Sequence, residues 1–442
     1  MIRELLNQEW LISIAEHLNG QTEWGVMRQV QDLRTQEILK YVESQSPFYG
    51  EHLRNRTGGD SEFALLHGLP YTTKSDLRAV GTAVCSLPFN RIATYYETTG
   101  TTGKSTPCPR ASIDVETSGA YVQQAVQKVY QSTFGTMQAL TAIMGPSELY
   151  AFGDTYGEIC RNLGIPFVRL WPESPRVGLE KAAHLIAELG VSSLICSPAV
   201  ALALARFYKS IGVEPSGTPV KQILVLGELC TPEMLSNISL IWGAHCTHGL
   251  YGSQETHAVA TGCTHGNLHL SETNYLVEIL PQEGMDSSVG ELCLTMLVPG
   301  AKPLIRFRTG DLASLYPASV CGCGSHSRCL RIFGRADDVM TIGGRKVFPA
   351  TIESAVLGVA DCVWGYQVDV RLGKDGTDEI EVTLAAEMGN RSISQARELL
   401  AAQFNVPVQV SLQNQLDPRT ETGAYISWKY ARIRDWRSSH DQ

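Results

Sequence analysis

Residues Tyr95 to Arg110 read YYETTGTTGKSTPCPR, and Thr98 to Lys104 gather four threonines, two glycines and one lysine in seven positions. Such a stretch can cradle an anion. Gly100 and Gly103 can take φ > 0 and let backbone N–H groups converge on one point. Thr98, Thr99, Thr101 and Thr102 add hydroxyl donors, and Lys104 adds a charge able to follow a migrating phosphate. It is not a Walker A loop, which needs a glycine five positions before the glycine of Gly-Lys. Counted back from Gly103, that position is Thr98. The same composition also suits a solvent-exposed turn, so other residues must decide.

Three further segments carry chemistry. LYGSQET (Leu250–Thr256) sets Gly252 behind Tyr251 and ends near an acidic Glu255. RFRTGDL (Arg306–Leu312) ends in Asp311, placed where a strand would finish; a carboxylate there can accept hydrogen bonds from a ribose diol. GRADDVMTIGGRKVFPATIE (Gly334–Glu353) is a polar junction rich in Arg, Asp and Lys. A separate group of soft ligands lies in CGCGSHSRC, with Cys321, Cys323, His326 and Cys329, and in GCTHGNLH, with Cys263, His265 and His269. Cys-x-Cys presents two thiolates at one turn, and zinc takes four N or S ligands in a tetrahedron.

The elements that must position these residues follow from pattern. Residues 1–21 form an amphipathic helix and the next eighty are helical, then turn-rich, with Thr72 or Thr73 capping KSDLRAV. From residue 138, LTAIMG, PFVRLW, VSSLICS and KQILVLGE read as strands. GEICRNLG, GLEKAAHLIAELG and PAVALALARFYKSIG read as helices between them, which predicts a largely parallel α/β sheet. From Cys263 to Phe333 the texture turns β-rich. The last hundred residues form a small α+β unit, with Ser392 and Gln395 as a capping box. The expected fold class is therefore α/β: an N-terminal body, residues 1–334, of parallel-rich sheet plus a β-rich part, then a small mobile α+β domain, 335–442. At 442 residues the chain is long enough for such a division. A net charge of −9 argues against a nucleic-acid surface. No apolar run approaches the ~20 residues of a membrane span, no signal peptide is read, and twelve mostly isolated cysteines do not form a disulfide scaffold; a cytoplasmic enzyme is expected.

In this order and at these separations the motifs resemble the adenylate-forming superfamily of acyl-CoA synthetases and peptide-synthetase adenylation domains, most closely its phenylacetate-CoA ligase branch. SPFYGEHL (Ser46–Leu53) and LPYTTKSDLR (Leu69–Arg78) add to the likeness, which covers nearly the whole chain. The resemblance implies ATP-dependent formation of an acyl-AMP from a carboxylic acid, followed by transfer to a thiol. It implies that the Thr98–Lys104 loop holds the β- and γ-phosphates, Glu255 holds Mg²⁺, Asp311 grips the ribose and Tyr251, beside Gly252, borders the adenine. It places a hinge at Asp337, with Arg335 beside it, and an acid-activating lysine near the C-terminus. In WKYARIRD the family's spacing of a Lys followed downstream by Arg, apolar, x and Asp falls on Lys429. It also selects Cys263, His269, Cys321 and Cys323 as a structural zinc quartet.

Three positions depart from the family pattern. Trp428 precedes Lys429 where glycine is usual, Gln254 precedes Glu255 where Thr or Ser is usual, and Gly343 stands where an arginine is common; Lys346 is the candidate to supply that charge. The family layout puts the acyl pocket among Tyr150, Phe152, Ser197, Pro198, Ala199, Gly227, Glu228, Gly249 and Leu250, with Gly227 and Glu228 also at the nucleotide. The branch implies a small aromatic acid, in a secondary-metabolic setting. The acceptor is CoA or the phosphopantetheine of a separate carrier protein, and a homodimer is carried as an expected state. Two alternatives stay open: transfer of the activated group to an amine or other nucleophile, and a non-catalytic nucleotide-binding relative.

Overall fold

The computed structural model describes residues 2–54, 66, 68–98, 104–413, 416 and 432–437, with side chains from Gln8 onward. By internal packing the chain forms two compact units: residues 1–132, 146–163 and 249–331, and residues 133–145, 164–248 and 332–442.

The first unit is built on a seven-stranded sheet in the order Tyr275–Pro281, Gly290–Met296, Phe307–Tyr316, Cys329–Arg335, Leu268–Leu270, His257–Gly262, Leu250–Ser253. This is the β-rich section read from the sequence. Gly290–Met296 is buried along its whole length, as its run of apolar residues requires. The helix Trp24–Gln45 buries Met27, Gln31, Thr35, Ile38, Leu39 and Val42, one face at three- and four-residue spacing. Its buried Gln31 amide donates to the Glu272 and Tyr275 carbonyls at 2.8 and 3.2 Å, so the helix is tied to the sheet by satisfied polar groups. The helix Lys74–Val80 starts at a capping box of Thr73 and Asp76. The long helix Ser112–Phe134 carries in its first turn Asp114, whose carboxylate accepts from the Ala111 and Ala301 N–H groups at 2.7 and 2.8 Å.

The second unit contains the expected parallel sheet. Its five strands run Phe167–Arg169, Thr141–Ile143, Ser193–Cys196, Gln222–Val225, His245–His248, every neighbouring pair parallel. Helices Gly178–Glu188, Pro198–Ser210 and Pro232–Trp242 connect them. The last strand, HCTH, has too little apolar character to be read as a strand from sequence; Gln222 supports it by a 2.9 Å hydrogen bond to His245. The C-terminal part is a four-stranded sheet, Val408–Leu412, Asp378–Glu387, Cys362–Leu372, Ile433–Asp435, with helices Pro349–Leu357 and Ile393–Phe404. Ser392 and Gln395 form the anticipated capping box. This part packs on the helix Pro232–Trp242, where the Asn237 amide exchanges two 2.8 Å hydrogen bonds with the Val363 backbone. Among the described residues no helix is long and apolar enough to cross a membrane.

Candidate active site

In the first unit, Thr94–Glu97 and Pro107–Arg110 pair antiparallel and present the Thr-rich loop between them. Thr98 and Thr106 close its neck: Thr98 N–H donates to the Thr106 carbonyl at 3.1 Å, and Thr106 N–H to the Thr98 hydroxyl at 2.9 Å. Lys104 is exposed at the other side of the loop. Thr99, Gly100, Thr101, Thr102 and Gly103 lie outside the described residues. The segment after the hairpin's neighbour is held to it as well, since Glu97 N–H donates to the Leu149 carbonyl at 3.2 Å.

Gln254, a departure from the family pattern, has a structural use. Its amide nitrogen donates to the Leu149 carbonyl at 3.2 Å, and its oxygen accepts from Ala151 N–H at 3.4 Å. It therefore clamps both sides of Tyr150, and Phe152 follows at the start of the helix Ala151–Leu163. Neither Thr nor Ser is long enough to bridge two backbone groups in this way. Gly249 and Leu250 lead into the strand that carries Tyr251. There Gly252 is required by close approach: a Cβ at this position would stand 1.7 Å from the His257 carbonyl oxygen, at a bulge in the pairing with His257–Gly262.

The structure brings Tyr251 and Asp311 together, 60 residues apart in sequence. The tyrosine hydroxyl donates to the Asp311 carboxylate at 2.7 Å. Asp311 lies in the middle of the strand Phe307–Tyr316, not where a strand finishes as the sequence suggested, because the strand runs on past the positive-φ Gly310 at an irregularity in its pairing; its N–H donates to Thr309 Oγ1 at 3.0 Å. Glu255 is buried at 6% exposure. Burial alone would raise its pKa, but Lys74 and Lys302, with hydrogen bonds from its own backbone and Ser253, hold it below the ordinary carboxylate range. Lys302 was not anticipated. It is 2% exposed and donates to Cys108 Sγ at 3.4 Å, on the strand that leaves the loop. The signal for it was a lysine set in the otherwise apolar run GAKPLI.

The soft-ligand quartet also assembles. The donor atoms of Cys263, His269, Cys321 and Cys323 all lie within 4.8 Å of one another. Cys263 and Cys321 sulfurs are 3.7 Å apart, and Cys323 Sγ is 3.3 Å from His269 Nε2. A tetrahedron with Zn–S bonds of ~2.3 Å puts thiolates about 3.8 Å apart, so the spacing fits zinc. His269 Nδ1 meets the Ser327 carbonyl at 2.9 Å, an arrangement that leaves Nε2 turned to the thiols. Cys329 is 3.8 Å from His269 Nδ1, on the outer side of the ring.

In the second unit, Ser197 and Gly227–Glu228 follow the adjacent parallel strands Ser193–Cys196 and Gln222–Val225, at their carboxyl ends. This is the edge at which open α/β sheets bind ligands. Ser197, 1% exposed, caps the helix Pro198–Ser210 by accepting from Val200 N–H, with Pro198 and Ala199 forming its first turn. Gly227 takes φ +91°. Burial pushes the Glu228 carboxyl up to about 7, against the pull of Arg432 and of hydrogen bonds from Ser197 and Ala199; neighbouring Glu353 adds to the rise. Arg335 ends a strand, exposed Asp337 sits in the short 3₁₀ turn Ala336–Asp338, and exposed Lys346 lies opposite Thr341 in a tight hairpin. Gly343 and Gly344 form that hairpin's two-residue turn with φ +54° and +75°, a type I′ requirement that explains glycine where an arginine was looked for. Lys429 lies outside the described residues.

No protein-family profile matches the chain. Curated proteins do. The chain is 27% identical to a phenylacetate-coenzyme A ligase of Thermus thermophilus over 444 residues, covering 93% of this chain and 97% of that one. It is 26% identical to a phenylacetate-coenzyme A ligase of Pseudomonas putida, with 88% and 90% covered. Among solved structures, 2-hydroxyisobutyryl-CoA ligase bound to its acyl-AMP superposes with a TM-score of 0.72 at 17% identity, covering 93% of this chain and 90% of that chain. An anthranilate CoA ligase in complex with anthranoyl-AMP superposes at 0.52 and 16%, covering 75% and 65%. The chain thus carries the fold of the adenylate-forming CoA ligases and is a sequence relative of the phenylacetate-coenzyme A ligases.

Proposed function

We propose that the protein is an AMP-forming acid–thiol ligase, which activates a small aromatic carboxylic acid with ATP as acyl-AMP and passes the acyl group to the thiol of CoA. The observation that carries this reading is the pairing of Tyr251 with Asp311 at 2.7 Å in the unit that also holds the Thr98–Lys104 loop and a Glu255 kept ionised. Adenylyl transfer needs positioning and charge neutralisation more than covalent help from the protein. Thr98, Lys104 and the loop between them hold the pyrophosphate portion. Asp311 accepts from the ribose hydroxyls while Tyr251 fixes its orientation and borders the base. Glu255 holds Mg²⁺, which prefers hard oxygen ligands and neutralises phosphate charge when bound. Lys429 stabilises charge where the carboxylate meets the α-phosphate. Arg335 and Lys346 belong to the junction around Asp337, about which the 335–442 domain turns between the two half-reactions. Tyr150, clamped by Gln254, and Phe152 offer aromatic wall to the acyl group.

Cys263, His269, Cys321 and Cys323 hold a structural zinc that staples the β-rich section; four protein ligands leave no open position for chemistry. Metal analysis checks this. Wild type should hold one zinc per chain, and Cys323→Ser should lose it and melt roughly 5–10 °C lower. A stable, metal-free wild type refutes the site. The function itself is tested by incubating the protein with ATP, Mg²⁺, CoA and a panel of aryl acids and weighing the products. AMP, pyrophosphate and an acyl-CoA are expected from at least one acid. An acyl-amide, or AMP without thioester, would move the acceptor to another nucleophile.

A further inference from the structure

The helix Ile2–Leu18 turns Trp10, Ile14 and His17 inward, one face at three- and four-residue spacing. Two of the three are hydrophobic; the third is a histidine at 2% exposure. Its Nε2 meets the Ser327 hydroxyl at 2.8 Å, 310 positions along the chain. Its Nδ1 is buried and has no hydrogen-bond partner among the described residues. A buried imidazole with one nitrogen unsatisfied costs stability, and an apolar side chain would fill this place without that cost. The chain touches the same loop again just after the helix: a Cβ on Gly20 would stand 2.2 Å from His326 Nε2. The first helix therefore ends against the Cys-rich loop 321–329, within the first unit.

Ser327 stands where that loop hands over to a strand. Cys329 pairs with His269, and Leu270 N–H donates to the Arg328 carbonyl at 3.0 Å. Glu272 also grips Arg328, accepting from its N–H at 3.2 Å and from its guanidinium at 2.9 and 3.0 Å. Ser327 lies one residue beyond this pairing. Its carbonyl is nevertheless the group that meets His269 Nδ1 at 2.9 Å and leaves Nε2 to the thiols, 3.3 Å from Cys323 Sγ. Its N–H donates to the Ser325 hydroxyl at 3.3 Å, inside the same loop. The grip from outside the loop comes from His17. We propose that His17 is a positioning residue of the metal site: by holding the Ser327 side chain it aims the Ser327 carbonyl, which orients His269. This rests on the zinc site proposed above. The affinity of that site is then set in part by the first helix, far from the ligands in sequence.

Zinc affinity of the full chain, read by competition with a chromophoric chelator, tests this without an assay of activity. Removing a partner that orients a metal ligand costs about 10- to 100-fold in affinity. His17→Ala and Ser327→Ala should each weaken zinc binding about tenfold. Because they cut the same link, the double variant should also lose about tenfold, not the roughly hundredfold of independent changes. His17→Gln, whose carboxamide still meets the hydroxyl, should stay within about threefold of wild type. Wild-type affinity in His17→Ala, a double variant near hundredfold, or a His17→Gln as weak as His17→Ala overturns the proposal. Should His17→Ala fail to fold, Ser327→Ala decides: it removes one oxygen atom, and an unchanged affinity overturns the proposal. A wild type that binds no zinc overturns the zinc site as well, whereas unaffected variants of a zinc-binding wild type overturn only the role of His17.

Discussion

Two glutamates, Glu255 in the first unit and Glu228 in the second, both meet desolvation and shift in opposite directions. Burial raises both. Glu255 is answered by two lysines, Lys74 and Lys302, and by two hydrogen bonds, and falls below the ordinary range. Glu228 shares a single arginine with Glu353 and rises to about 7. The neighbouring charges set the outcome: two lysines pull Glu255 down, while one arginine shared with Glu353 does not offset burial at Glu228. An ionised group suits a hard cation that neutralises a polyphosphate.

The comparison breaks hardest at Glu255. Glu255→Gln removes the charge while keeping the shape, and acid-dependent exchange should drop by about 100- to 1000-fold, measured at saturating Mg²⁺. Lys302→Met tests the cause. With one of its two lysines gone, Glu255 should behave more like Glu228, and the acid limb of the pH–rate profile for exchange should move up by roughly one unit. An unmoved profile would assign the ionised state to Lys74 alone. The smallest effect is expected at Glu228. Its folded pKa of about 7 lies above the ordinary 4.5, so its contribution to stability is present below pH 4.5 and lost as pH rises through about 7. Glu228→Gln should remove that decline, on the order of 1–3 kcal/mol, in denaturant titrations between pH 4.5 and 7.5.

Much of this was legible in the sequence, and the reason is locality. Alternating apolar runs and amphipathic helices predict the parallel sheet because each element carries its own period. The capping boxes at Thr73 and Ser392 are visible because cap and partner lie three residues apart. Cys321 and Cys323 announce themselves as a pair. What stayed hidden depends on distant partners. Lys302 reads as an ordinary lysine until the fold sets it by Cys108, and Arg432 finds Glu228 across 204 positions. Gln254 and Gly343 looked like losses from the family pattern. The structure shows them meeting local needs, a backbone clamp and a type I′ turn.

The central claim is that this chain adenylates a carboxylic acid. Exchange of labelled pyrophosphate into ATP, measured with Mg²⁺ and one aryl acid at a time, tests it most directly because it needs neither CoA nor release of the acyl-AMP. Exchange that appears only when a suitable acid is present, and vanishes in Glu255→Gln, is the predicted result. Tight ATP binding with no acid-dependent exchange across the panel would contradict it and leave a nucleotide-binding protein on a ligase fold.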